Sequence, residues 1–442
     1  MKKLLLTGFA LVSLAAQAQN SWVPQPTKFP ANFGVDEINI VNASTVWTFA
    51  YDGSGGGTYP KIVGRTTDGG ANWTATTITG PGANALVSDL SAVDANTAWI
   101  VTAPHTTGTN ANRIWKTTNG GTSWTQQTSG YATASFGNQI HFWDANEGWT
   151  AGDPVGGLFE MYRTTNGGTT WTAVAGRPAP VGAEYSYVAM KEVLGNTIWM
   201  GTDIGRILRS SDRGVTWTGF FSPALDFGGV TTVGSSGAFA FSSVNTGLLI
   251  TVDNGTAALY SSADGGATWA PVAPTGPWYY GDVTYVPGTA NTYVSTGITN
   301  ADPTMTGSSY TTDGGLTWTA IDNGEQRGKA VFLNPTTGWA GQFSDGPTGT
   351  TGILKFSGSL LGVSDNAVKS SLKISPNPAV DVVTVTANKE IKSVSIIDLS
   401  GKKVKTEVTS GKVNVSSLAK GTYILQVNYG NGGVENTKLI KK

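Results

Sequence analysis

The sequence predicts an all-β chain: a seven-bladed β-propeller followed by a small C-terminal Ig-like β-sandwich. Three observations carry this. An octapeptide recurs six times between residues 66 and 318, its copies starting 46–52 residues apart. A shorter apolar pattern recurs seven times over the same stretch. From residue 372 both patterns stop and a different alternation replaces them. A period of about 40–50 residues marks one supersecondary unit stacked on its own copies. Four short antiparallel strands fill such a unit in a propeller.

The octapeptides are TTDGGANW (66–73), TTNGGTSW (117–124), TTNGGTTW (164–171), SSDRGVTW (210–217), SADGGATW (262–269) and TTDGGLTW (311–318). Asp68, Asn119, Asn166, Asp212, Asp264 and Asp313 hold the third position, and Trp73, Trp124, Trp171, Trp217, Trp269 and Trp318 the last. An Asp or Asn at such a place accepts backbone N–H bonds within a turn. The fifth position is Gly in every copy, which predicts a positive φ there. The fourth is Arg213 in one copy, so it is expected not to need one strictly. The Trp is expected to pack into the blade, with roughly 150–250 Å² of ring surface to bury.

The seven-fold pattern reads as the second strand of each blade: VWTFAYD (46–52), AWIVTAP (98–104), GWTAGD (148–153), IWMGTD (198–203), GLLITVD (247–253), TYVSTG (292–297) and GWAGQF (338–343). The seventh blade has a third strand, 352–358, with no octapeptide after it. SWVPQPT (21–27) resembles the residues that follow the octapeptides, so it is expected to pair with 352–358. Such pairing closes the ring and removes an exposed edge.

Met1-Lys2-Lys3, the apolar run Leu4 to Ala16 and the Ala16-Gln17-Ala18 end have the form of a secretory signal peptide over 1–18, cleaved after Ala18. No later run is apolar long enough to span a bilayer as a helix, so no transmembrane segment is expected in the mature chain. The propeller is then 19–358, a polar linker 359–371 and the last domain 372–442. Residues 372–442 carry 11 Lys against 5 acids, while 19–371 carry 15 Lys and Arg against 24 acids. An acidic body speaks against nucleic acid as a partner.

The octapeptide resembles the Asp-box, or BNR, repeat of sialidases, of xyloglucan-cleaving glycosidases, of sortilin-type receptors and of photosystem II assembly factors. The likeness covers about 21–358. It implies that the box is a structural turn away from the ligand-binding face. Residues 372–442 resemble the type A C-terminal sorting domain of the Bacteroidetes type IX secretion system. The matching marks are Ser375-Pro376-Asn377-Pro378, IIDLSGKKV (396–404), VSSLAKGTYILQV (415–427) and the terminal KLIKK (438–442). That resemblance implies a periplasmic passage, recognition by the type IX machinery, and a secreted or outer-membrane-surface destination. Alternation at Val383 and Val385, at Val394 and Ile396, and over Ile424 to Val427 predicts its strands.

Chemistry is sparse. With no cysteine and two histidines, His105 and His141, no metal centre or cofactor is expected. The Phe/Tyr-Arg-Ile-Pro mark of sialidases is missing, GRPAP (176–180) being a poor match, and Arg65, Arg163 and Arg209 read as strand residues. No catalytic residue is assigned. Asp52, Asp153, Asp203 and Asp253 close second strands and read as turn residues, while Glu184, Asp226, Asp282 and Glu325 lie between blades. A glycosidase would need two carboxyl groups about 5–10 Å apart. Aromatic-rich connections favour a binding face for a glycan or a surface protein: Tyr185, Tyr187, Trp278, Tyr279, Tyr280 and Asp282 are its candidate residues, with 225–229 and 129–138 beside them. The expected function is an exported binding module; the alternative is a glycoside hydrolase.

Overall fold

The computed structural model describes residues 20–105, 113–128, 130–132, 135–298, 305–360, 372–387, 391–398, 402–404, 408–409, 411–429 and 434–442. The leader at 1–18, most of the linker, and Ser129, Thr133 and Ala134 of the 129–138 connection lie outside the described residues. Contacts divide the chain into two units, Met1–Leu361 and Gly362–Lys442.

The first unit holds seven four-stranded antiparallel sheets. The first sheet runs Phe33–Ile40, Val46–Asp52, Ile62–Thr66, Trp73–Thr77, in chain order. The next five repeat that order, with first strands Ala85–Ala92, Gly137–Phe142, Ser186–Leu194, Ser235–Phe241 and Asp282–Tyr285. In the seventh, Ala330–Asn334, Thr337–Gly341 and Gly352–Ser357 are joined by Ser21–Pro26 as the outer strand. The register pairs Ser21 with Ser357 and Pro26 with Gly352. Each first strand touches the first strand of the next sheet, and Ala330–Asn334 touches Phe33–Ile40, so the circuit closes.

The sequence pattern follows from this placement. Second strands are covered on both faces, and Ala98–Pro104 is accordingly an almost unbroken apolar run, buried to its last residue. Outer strands are short, exposed and rich in threonine, as in Trp73–Thr77 and Thr125–Gln126. Each core lies between adjacent sheets. Trp47, Phe49 and Val63 of the first pack with Leu90, Ile100 and Trp115 of the second.

The octapeptides form one repeated turn. The third-position Oδ1 accepts the backbone N–H of the seventh residue at 2.8–3.0 Å in all six copies. The first-position hydroxyl donates to that same Oδ1 and accepts the N–H of the fifth-position glycine at 2.8–3.1 Å. Fifth-position φ values run from 81° to 95°, as for Gly214 and Gly315. The fourth position needs correction: it too is left-handed in every copy, including Arg213 at 59°. Arg213 meets the requirement with a side chain because it is held by Glu147 and Asn196 and lies over the Trp143 ring.

The tryptophans also need correction. Trp73, Trp124 and Trp318 are buried, but Trp171, Trp217 and Trp269 of the octapeptides are only half-buried. Apart from Trp73, the fully buried rings are Trp47, Trp99, Trp149, Trp199 and Trp339, all on second strands. Their indoles press onto the following sheet. Trp99 and Trp199 donate to the carbonyls of Gly167 and Gly265, inside the next octapeptide turn. A cation on the adjoining third strand reaches the same place: Lys116 to Gly167, Arg209 to Asp264, Lys355 to Gly69. Arg65 bonds the Ala95 carbonyl while lying over Trp47. Arg163 pairs with Glu147 instead. The turn therefore receives the preceding sheet's indole and cation, where the sequence suggested a clamp within one blade. The fifth and sixth sheets lack the pair, with Leu248 opposite Ser261 and Val294 opposite Tyr310.

In the second unit, one sheet is Lys373–Ser375, Val382–Thr386, Lys412–Asn414, Val408–Thr409 and the other is Lys403–Val404, Ile391–Ile397, Gly421–Tyr429, Val434–Lys441. Both sheets contribute to one core, which includes Val383, Val385, Val413, Ile396, Leu425 and Val427. Ile424 faces away from it and is exposed, so the alternation in that strand runs through Leu425 and Val427.

Candidate binding site in the channel

The first strands line a cavity of about 830 Å³ at the centre of the sheets. Their charged residues meet there. Asp36 and Glu37 come from the first sheet, Lys191 and Glu192 from the fourth, Asp282 from the sixth and Lys329 from the start of the seventh. Register shifts between Val35 and Glu37, between Val87 and Asp89, and between Ser186 and Lys191 turn the backbone at these residues. A bulge re-aims a side chain in this way.

Two lysines are paired across the channel. Lys191 Nζ lies 2.5 Å from Asp89 of the second sheet, and Lys329 Nζ lies 2.8 Å from Glu37 of the first. Asp89 also accepts the backbone N–H of Ile140, tying in the third sheet at 2.7 Å. Asp36, Glu192 and Asp282 form no ion pair among the described residues. Burial lifts the Asp36 carboxyl to about 6, with the Glu37 charge adding to it. Burial lifts Glu192 to about 7 and raises Asp282 as well. Burial works against the Lys329 ammonium, yet Glu37 and Asp282 hold it above the ordinary lysine range. His141 also faces the cavity, and burial followed by the nearby Lys191 charge lowers it to about 3, leaving it a neutral imidazole.

Of the six binding residues named from sequence, only Asp282 lines this cavity. Tyr185 and Tyr187 stand edge to face with centroids 5.5 Å apart, above the fourth and fifth sheets. Their hydroxyls are engaged, Tyr187 donating to Asp226 at 2.6 Å and Tyr185 meeting Thr231 at 3.2 Å. Trp278 and Tyr280 lie half-buried against the core between the fifth and sixth sheets. Tyr279 is buried, its backbone N–H donating to Ser295.

The acids weighed from sequence have structural partners. Asp52 accepts from Ser54 and Thr58 within its own loop. Asp203 accepts from Tyr185 N and Thr231, and Asp253 from Asn254. Glu184 is buried against Arg206 at 2.6 Å, and Glu325 pairs with Arg327 at 2.9 Å. Asp153, raised to about 6 by burial, accepts from Asn138. Sequence reading missed Asp36, Glu37, Asp89, Lys191, Glu192 and Lys329. Each looked like an ordinary polar residue of a first strand. The available signal was that charges occur near the same place in several repeats.

A closed circuit of four-stranded sheets defines the first unit as a β-propeller. Residues 373–442 match the family of secretion system C-terminal sorting domains. The protein thus carries the type IX sorting tail, which destines it for secretion or for attachment at the outer-membrane surface. Among the described residues no helix is long and apolar enough to cross a membrane. No curated protein matches the chain in sequence. Similar solved structures include YCF48 from Cyanidioschyzon merolae, at 15% identity over 77% of this chain and 99% of that one, with a TM-score of 0.52. An ancestral GH74 enzyme has 14% identity over 94% of this chain and 54% of its own, with a TM-score of 0.51. PorZ, a surface component of the type-IX secretion system of Porphyromonas gingivalis, has 15% identity over 92% and 59%, with a TM-score of 0.45. At these identities the likeness is one of fold, and the chain spans about half the length of the GH74 enzyme. Among the described residues no group of three or more His, Asp and Glu is placed to hold a metal ion.

Proposed function

We propose that this exported protein is a seven-bladed Asp-box propeller acting as a binding module for a glycan or a protein, with its ligand taken at the central channel. The observation that supports this is the cavity of about 830 Å³ in which three carboxyl groups, Asp36, Glu192 and Asp282, make no ion pair among the described residues. These carboxyl groups are half-buried; withdrawing an unpaired charge from water costs stability, and a ligand that supplies the partner recovers it. In this reading 1–18 is a signal peptide, 359–371 a linker and 372–442 an Ig-like sorting domain read by the type IX machinery. The six octapeptides serve the fold. Glycan-array and surface-protein binding with the wild-type protein and Glu192→Gln tests the site. Ligand binding unaffected by that change and by Asp282→Asn would count against the channel.

A second reading, a glycoside hydrolase, is favoured by one observation. Two acids, Asp36 and Glu192, line the same cavity, and burial raises both carboxyls. Glycoside hydrolysis uses a pair of carboxyl groups, one of them kept protonated by its surroundings. A hydrolysis screen on polysaccharides separates the readings, since turnover abolished by Glu192→Gln supports the enzyme.

A further inference from the structure

The connections beside the fourth and fifth sheets leave several aliphatic side chains facing water. Leu225 is 52% exposed, Val230 68% and Val233 82%, with Val181 and Val188 also exposed. The loop that carries the first three is held from within. Asp226, fully buried, accepts the N–H groups of Gly228, Thr231 and Thr232 and the Tyr187 hydroxyl at 2.6–3.0 Å. Asp203 and Glu184 are likewise buried and engaged below the surface. The acids within this loop and beneath it, Asp226, Asp203 and Glu184, are turned inward, Asp253 of the adjoining hairpin being exposed, and valines and a leucine are left facing water on a fixed backbone. Contiguous exposed apolar surface marks an interaction site.

The first strand of the fourth sheet and the connection that follows that sheet reach the cavity. Val188 and Phe227 line it together with Asp36, Glu192 and Asp282. An apolar shelf therefore adjoins a channel whose acids outnumber its lysines, both lysines being already paired. Charge complementarity selects the occupant. We propose that the channel mouth takes a protein segment that presents one lysine or arginine between apolar residues, the apolar residues lying on Leu225, Val230 and Val233 and the cation entering toward Asp36, Glu192 and Asp282. This rests on the reading of the propeller as a binding module and names its ligand as a basic-apolar peptide segment, not a glycan. The most exposed side chains are aliphatic, and the half-buried Tyr185 and Tyr187 beside them have their hydroxyls engaged, which suits a peptide better than a sugar face.

The test uses the whole purified protein and a fluorescent heptapeptide with one central arginine flanked by leucines and valines. Versions with glutamine or glutamate at the centre are compared by anisotropy. The arginine peptide is expected to bind, and the glutamine version about tenfold or more weaker, because truncating one side of a desolvated charge pair acts on dissociation. Val230→Asp with Val233→Asp changes two surface side chains and is expected to abolish binding while leaving the melting temperature in place. Glu192→Gln is expected to weaken the arginine peptide and leave the glutamine peptide alone. Equal binding of the three peptides, or wild-type binding by the Val230/Val233 variant, overturns the inference. Binding of arrayed glycans with no peptide binding also overturns it but leaves the binding-module reading standing. No ligand of either kind overturns both.

Discussion

The side-chain oxygen of Gln25 accepts two indole N–H groups at once, from Trp73 and from Trp339, each at 3.1 Å. Trp73 closes the first octapeptide, Trp339 sits on the second strand of the seventh sheet, and Gln25 lies on the N-terminal strand between them. This contact takes the place, at the seam where the N-terminal strand joins the seventh sheet, of the indole-to-turn bond seen between other sheets. Replacing Gln25 with Leu leaves two buried N–H donors unpaired, at about 1–3 kcal/mol for each. Gln25→Glu keeps an acceptor and is expected to lose less. Thermal denaturation of the two variants side by side measures the difference, and equal melting temperatures would remove the bridge from the closure.

The second-strand tryptophans should matter more than those of the octapeptides. Trp149 is fully buried in the core between the third and fourth sheets, whereas Trp171 is half-buried. Trp149→Ala is expected to cost about 3–5 kcal/mol, and Trp171→Ala less than half as much. Urea titration of both gives the order, and a larger loss at Trp171 would return the packing role to the turn.

The two left-handed positions of a turn should differ in tolerance. A methyl group on Gly214 would lie 2.5 Å from Trp149, in a backbone at φ 81°. Gly214→Ala is therefore expected to prevent folding or to lower the melting temperature steeply. Arg213→Gly relieves the side-chain strain at φ 59° but gives up the contact with Glu147. These terms oppose each other, so its stability should stay within about 1 kcal/mol of wild type, as exposed ion pairs are worth that little. Circular dichroism melts of the pair decide the point.

Stability should peak in mildly acid solution. Asp68 and Asp264 of the turns are held low by the side chains of Asn72 and Thr268, Asp264 at about 2. Their contribution is present above the unfolded value of about 3.9 and is lost as pH falls through the folded one. Asp36 and Glu192 are raised to about 6 and about 7, so the folded state binds more protons than the unfolded chain between those values and the ordinary ones. Stability therefore declines as pH rises through 6 and 7. Melting temperatures across pH 3 to 9 should show both limbs, and Glu192→Gln should flatten the alkaline one. A curve that keeps rising from pH 5 to 8 would contradict the assignment.

The turns, their spacing and the seven second strands were legible because they are local. Asp68 bonds a residue four positions away, and Trp47, Trp99 and Trp149 announce covered strands by the apolar runs around them. The sorting tail was legible for the same reason, as a string of short motifs. The burial expected of the octapeptide tryptophans holds for Trp73, Trp124 and Trp318 and is only partial for Trp171, Trp217 and Trp269, because which ring is fully covered depends on the neighbouring sheet. The channel was not legible. Lys191 and Asp89 are 102 positions apart, and Lys329 and Glu37 are 292 apart. Each sits on a strand whose alternation reads as ordinary polar-out patterning. By itself the sequence determined the repeat, the strand order and the sorting tail, since these rest on hydrogen bonds, periodicities and motifs within a few residues. Only the tertiary structure decided the seam at Gln25, the indole packing between sheets and the acid-rich channel, because closing the circuit is what brings distant first strands face to face and withdraws their charges from water.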